Sequence, residues 1–351
     1  MPNSRPIKRN NHYVPSVYLK QWATNGMVQT YRLLVPHERV HLWKSVSLKG
    51  IAHHRNLYTY VGESGETDEF ETWLDRTFEA PAEPVIARAL RGAPMSVADW
   101  QTLVRFTAAQ DVRTPRRLKE FIDRQAQSLP QLMERTLAEG VRKFQGGSWR
   151  DHAEPPHPQL ALAPDLFQVR ITDTGEDMAT VSVETTIGRR MWIECCRMLL
   201  TSTVQRLMRH RWTIWRAPPG ITWPTSDNPV VRLNYYGPGH YDLKGGWGRP
   251  NGEILMPLSP TTLLYTKVGE RPPRRGSVMP EPAAQSIRRI LVENADRMVF
   301  EQTESDVALL RPRHVDATAC AQEREALKNW GPEQSAAEQA VWEFKGSTKR
   351  C

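Results

Sequence analysis

Five residues carry the side-chain types that could do chemistry together: His12, Gln110, Arg113, Asp227 and Asn228. A histidine moves protons near neutral pH, a carboxylate orients that histidine or holds a divalent metal, and an arginine neutralises a phosphate. Brought together, they would suit metal-assisted phosphodiester hydrolysis. Asp227 is the centre of Thr225-Ser226-Asp227-Asn228-Pro229, between β-like runs at Trp212-Thr213-Ile214-Trp215 and Val230-Val231-Arg232-Leu233. A carboxylate at a strand end is held rigidly while the adjoining loop leaves room for a substrate. The same residues have a plainer account. Asp and Asn before proline make an Asx-type turn, His12 caps the helix that Pro15 begins, and Arg113 caps the helix before it. The two accounts part at Asp227→Asn, which keeps the turn and removes the charge. A catalytic Asp227 predicts lost activity with the fold nearly intact.

A second set is cationic. Arg189, Arg190, Arg197, Arg206 and Arg209, continued by Arg211 and Arg216, meet only Glu194 along their stretch, whereas Glu63, Glu66, Asp68, Glu69, Glu71, Asp75, Glu79 and Glu83 crowd another. On one face, these arginines would attract nucleic acid, in keeping with a formal charge of +8. Two function classes therefore stay open. One is an enzyme acting on nucleic acid or nucleotides. The other is a non-catalytic nucleic-acid- or partner-binding protein whose motifs are structural. The first lacks one expected feature, a group of carboxylates within one short motif, which two-metal nucleases use.

Other patterns argue for packing. His37-Glu38-Arg39-Val40-His41 is a literal HExxH, but Pro36 precedes it and the flanking residues alternate like strands, so the helix a zinc site needs is not expected at His37 and His41. Cys195, Cys196, Cys320 and Cys351 show no CxxC spacing and read as reduced. Met191, Trp192, Cys195, Cys196 and Met198 read as a core stripe, and the glycines between residues 235 and 252 as a hairpin tip.

The elements that must position these residues follow from periodicity. Helices are expected through residues 68–144, with Ser96 and Asp99 as a capping box and Thr114-Pro115 opening a helix to residue 128. A Pro/Gly/His-rich connection at 146–164, weak β character at 169–183 and a long helix at 184–210 follow, then a β-rich part at 211–310 with a helix at 283–294. The segregation of helices from strands predicts an α+β fold, a helical block on a mixed or antiparallel sheet formed largely by the C-terminal half. Residues 1–330 are expected to form a single domain and 331–351 a peripheral tail, in which Val341, Trp342 and Phe344 could dock. With no run of about 18 apolar residues and no apolar stretch behind the basic start, the expectation is a cytoplasmic protein without membrane contact. Oligomeric state is left open.

Asn11-His12-Tyr13-Val14-Pro15, with Tyr18, Leu19 and Trp22, resembles the N-H-Y-V-P-x-x-Y-L signature of the bacterial domain-of-unknown-function 4238 family. The likeness extends to Asn56-Leu57-Tyr58, Gln110-Asp111-Val112-Arg113-Thr114-Pro115, Thr225-Ser226-Asp227-Asn228-Pro229-Val230, Pro257-Leu258-Ser259-Pro260 and Asn294. It spans most of residues 10–300 and implies which residues matter. It implies no activity, because the family has none settled.

Overall fold

The computed structural model describes residues 6–145, 166–175, 178–237 and 239–348. The connection expected at 146–164 lies outside them. The architecture is α+β, as the segregated pattern predicts, with two larger sheets and four two-stranded ones among the described residues around one helical block. The larger sheet is antiparallel, with strands in the order Thr213–Arg216, Thr262–Lys267, Gly252–Ser259, Val231–Gly237 and His240–Asp242. The smaller runs Thr225–Ser226, Met298–Glu301, Met27–Arg32 and Trp43–Ser47, again antiparallel. Its last two strands come from the N-terminal part, which corrects the expectation of a sheet built largely by the C-terminal half. Tyr31 and Trp43, their tilted rings 5.5 Å apart, share a buried cluster there with Val299, burying apolar area that neither half could cover alone.

The N-terminal signature explains how the halves join. Pro15 starts a short turn, Ser16–Leu19, which tightens into Lys20–Trp22. Its inward residues reach across the molecule: the Tyr18 hydroxyl donates to the Pro257 carbonyl and pairs with Thr225 Oγ1, both at 2.7 Å. Trp22 Nε1 donates to the Trp223 carbonyl at 3.0 Å. Both rings are fully buried, so each polar tip needs such a partner. Truncating Trp22 to alanine should cost about 3–5 kcal/mol.

The helical block starts at Glu69–Leu74, passes a π turn at Asp75–Glu79 and continues through Ala80–Leu90. The Val97–Val112 helix opens with the expected capping box, Ser96 Oγ accepting from the Asp99 N–H at 3.2 Å while Asp99 Oδ2 accepts from the Ser96 N–H at 2.7 Å. Thr114 caps the next helix, whose Pro115 loses nothing at a position where the N–H has no helical partner. That helix runs on to Gln145 through Pro130, beyond its expected end. The long helix begins only at Arg189, after the hairpin Phe167–Gly175 and Met178–Thr185. It is interrupted by a π turn at Leu199–Thr203 before ending with Val204–Met208.

Residues 331–351 are not a peripheral tail as far as residue 348. They belong to a helix, Ala317–Thr348, that buries Glu338 against the N-terminal part. No helix of the described residues is long and apolar enough to cross a membrane.

Candidate functional site

Asp227 follows the two-residue strand Thr225–Ser226, which brings it beside the start of its neighbour, Met298–Glu301. There its carboxylate closes the approaching loop: Oδ1 accepts from the Asp296 N–H at 2.8 Å, and Oδ2 from Arg297 at 2.7 Å and Met298 at 3.1 Å. Burial first, then Asp296, push its pKa up to about 7, while the Asp296 and Arg297 N–H groups favour the anion. Asn228 is equally committed. Its Oδ1 accepts from Thr114 Oγ1 at 3.1 Å and its Nδ2 donates to the Asn294 carbonyl at 3.0 Å. Asn294 answers by donating to the carbonyls of Asn228 and Val230. The motifs at 110–115, 225–230 and 294 thus form one buried polar knot.

Arg113 is wholly buried and ties a second knot. It donates to the His12 carbonyl, to Glu79 and, from Nε, to the Tyr58 hydroxyl at 3.3 Å, while Tyr58 donates to the Arg113 carbonyl at 2.6 Å. His12 takes part through its backbone. Its ring lies beside His53, 5.8 Å between centroids, and Nε2 is buried without a partner. Burial, with the His53 and Arg113 charges, lowers its pKa and keeps it neutral at pH 7. Gln110 is fully buried, and neither side-chain polar atom finds a partner among the described residues. No hydrogen bond or ion pair among those residues joins the His12 ring to Asp227. None of His12, Gln110, Arg113, Asp227 and Asn228 lines the cavity that opens beside Asp111 and Arg117.

That cavity, about 360 Å³, lies where the helical block meets the larger sheet. One wall is the Pro115–Gln145 helix, whose Arg117, Glu120 and Arg124 recur on one face at i, i+3, i+7. The opposite wall is the long helix, with Trp192, Cys195, Cys196 and, past the π turn, Arg206. A π turn widens a helix locally and often marks a functional site; here its Leu199 and Thr203 line the opening. Arg232 enters from the sheet, and Trp247 from the glycine-rich excursion. Gly245 lets that excursion fold back, because a Cβ there would meet the Arg232 carbonyl carbon at 2.8 Å.

Asp111 organises the interior. It accepts from Arg117 Nε at 3.0 Å and Trp247 Nε1 at 2.7 Å, and Arg232 Nε stands 3.7 Å away. Burial would raise its pKa, but Arg117, Arg232 and the Trp247 bond outweigh it, so Asp111 stays anionic below the usual carboxylate range. Glu120 accepts from Arg117 at 2.7 Å and Arg232 at 3.3 Å. Arg117 Nη2 also pairs with Asp111 Oδ1 at 2.7 Å, and Arg232 Nε remains buried without a hydrogen-bond acceptor. Burial raises the pKa of both lining thiols, so Cys195 and Cys196 are neutral and unreactive.

The arginines singled out from sequence divide. Arg189 is removed from any nucleic-acid face: it is fully buried, bound to Glu338 through Nε at 2.9 Å and Nη2 at 2.5 Å, and to the Asn56 carbonyl through Nη1. Arg190 lies over the Trp342 ring at 4.6 Å, and Arg197 pairs with Glu69 at 2.6 Å. Arg206 and Arg209 are exposed, and Arg206 lines the cavity. The residues at 37–41 form a turn whose carbonyls accept from Arg313, not a helix presenting both histidines. Among the described residues no cluster of three His, Cys, Asp or Glu side chains is placed to hold a metal.

Fold and cavity define an α+β protein with an arginine-lined pocket at the seam of its two halves. The chain belongs to the family described as "Protein of unknown function (DUF4238)", whose model matches residues 10–305, a span that holds every residue lining the pocket. No curated protein and no solved structure matches the chain.

Proposed function

We propose that the protein binds a nucleotide, free or as a unit of nucleic acid, in the arginine-lined cavity, and that recognition rather than phosphodiester hydrolysis is its task. One observation carries this: four arginines, Arg117, Arg124, Arg206 and Arg232, outnumber two carboxylates, Asp111 and Glu120, around an opening walled by Phe121, Trp192 and Trp247. The surplus positive charge suits a phosphate, and guanidinium groups meet phosphate oxygens in a bidentate fork. Aromatic walls suit a base. The volume falls at the small end of ligand pockets, about 300–1,000 Å³.

The hydrolytic reading has less support. Asp111 is bound to Arg117 and Trp247, and both oxygens of Asp227 are occupied by backbone N–H groups. Neither is placed to take a proton from an attacking water. Calorimetric titration with nucleoside monophosphates and with inorganic phosphate tests the proposal, run beside a hydrolysis panel with and without divalent metal. Nucleotide binding weakened by Arg206→Ala, without turnover, supports it. Turnover that disappears in both His12→Ala and Asp227→Asn would restore the hydrolase.

A further inference from the structure

Resting on that reading, we infer that the cavity takes the phosphorylated end of a single nucleic-acid strand, with the rest of the strand leaving across a cationic rim. Two neighbouring stretches form the rim. His210 Nε2 donates to the Trp247 carbonyl at 2.6 Å, which sets residues 209–211 against residues 247–249 at the cavity mouth. Arg206 lines the cavity, Arg209, Arg211 and Arg249 are exposed on the two stretches that this bond joins, and among the described residues none of the four makes an ion pair. Their situation differs from that of Arg189, Arg190 and Arg197 on the same long helix, all engaged by protein groups.

The interior selects an end. A cavity of about 360 Å³ holds one nucleotide and admits no duplex. At its base, Arg232 Nε is a buried guanidinium nitrogen without a hydrogen-bond acceptor, 3.7 Å from Asp111 Oδ1, an oxygen that Arg117 Nη2 already meets at 2.7 Å. An internal phosphodiester carries one negative charge, whereas a terminal phosphomonoester carries about 1.5–2 at neutral pH and offers three strong acceptor oxygens. The lining has two more arginines than carboxylates, which matches the doubly charged end. Outside, rim arginines spaced along the exit suit the singly charged phosphates that follow. Stacking on Trp247 or Trp192 is tolerant of base identity, so the inference concerns an end, not a sequence.

The test is fluorescence anisotropy on short DNA and RNA strands, each with a 5′-phosphate, a 3′-phosphate or hydroxyls at both ends, the label opposite the phosphate, and a blunt duplex beside them. One phosphorylated end should bind at least about tenfold more tightly than the hydroxyl-ended strand. The favoured end gives the polarity of the strand and the DNA and RNA arms its source. Arg232→Met should erase the difference, and Arg206→Ala, at an exposed position, should reduce it with the fold unaffected. Equal affinity for phosphorylated and hydroxyl-ended strands, with mononucleotides still bound, overturns the inference and leaves nucleotide binding standing. Binding of neither strands nor mononucleotides overturns both.

Discussion

Asp227 shows how a motif residue can be indispensable without touching a ligand. Its oxygens meet three backbone N–H groups, so Asp227→Asn must turn an amide NH₂ toward at least one donor. The substitution that the sequence marked as gentle on the fold should therefore destabilise it by about 1–3 kcal/mol, read as a lower urea midpoint. An unchanged midpoint would return Asp227 to the list of catalytic candidates. Glu71 makes a second residue-scale prediction. It is 8 % exposed, Oε2 has no partner, and burial, with Glu79 adding to it and Arg113 opposing, raises its pKa to about 7 from 4.5. Between those values the folded state keeps a proton that the unfolded state has released, so stability is full below about pH 4.5 and falls until about pH 7. The loss is about 3 kcal/mol, and Asp227 acts in the same sense. Glu71→Gln should flatten the profile and raise stability at about pH 8. A profile as steep as before would mean that another group titrates.

At the scale of elements, what local pattern encodes was readable and what distant pairing encodes was not. The capping box at Ser96, the Thr114-Pro115 helix start and the strands on both sides of Asp227 each depend on neighbours within a few residues. The cavity draws on residues 111–125, 192–206, 232 and 247–248, and no local signal joins them. Two hints were present. Asp111 lies inside a recognised motif between Gln110 and Arg113, and Arg117, Glu120 and Arg124 share one helix face. The C-terminal helix reads as a tail in the sequence for the same reason, with only Val341, Trp342 and Phe344 marking where it could dock. Its polar composition resembles a solvated tail, while its anchor is an ion pair between residues 149 positions apart. Gln334 Oε1 accepts from the Arg189 N–H at 2.7 Å and so caps the long helix, and Trp342 Nε1 donates to the Val61 carbonyl at 3.0 Å. Glu338→Ala leaves the Arg189 guanidinium buried without its counter-charge and should cost about 3–5 kcal/mol by urea denaturation. The double variant with Arg189→Met should cost less than the sum of the single changes, because the two side chains act as one unit. Strict additivity would show that the pair contributes nothing beyond packing.

Over the whole molecule, the formal charge of +8 says less about nucleic-acid binding than where the charge is left unpaired. The acidic segment at 63–83 draws in cations from several elements: Glu66 holds Arg9, Glu69 holds Arg197, Glu79 holds Arg113 and Glu83 holds Lys20. That pairing quiets one side of the protein and leaves Arg206, Arg209, Arg211 and Arg249 as a concentrated field at the cavity mouth. The consequence is a salt dependence of definite size. Three or four contacted phosphates on a single strand, at about 0.7 each, give a log–log slope of about −2 to −3, or about 20- to 50-fold weaker binding from 50 to 200 mM salt. Replacing Arg209, Arg211 and Arg249 together by alanine should bring the slope toward about −1, the contribution of the end phosphate in the cavity. The same variant should weaken strands more than mononucleotides, since these reach only the interior. A slope that the triple variant leaves unchanged would place the contacted phosphates elsewhere on the surface, and the rim would lose its role.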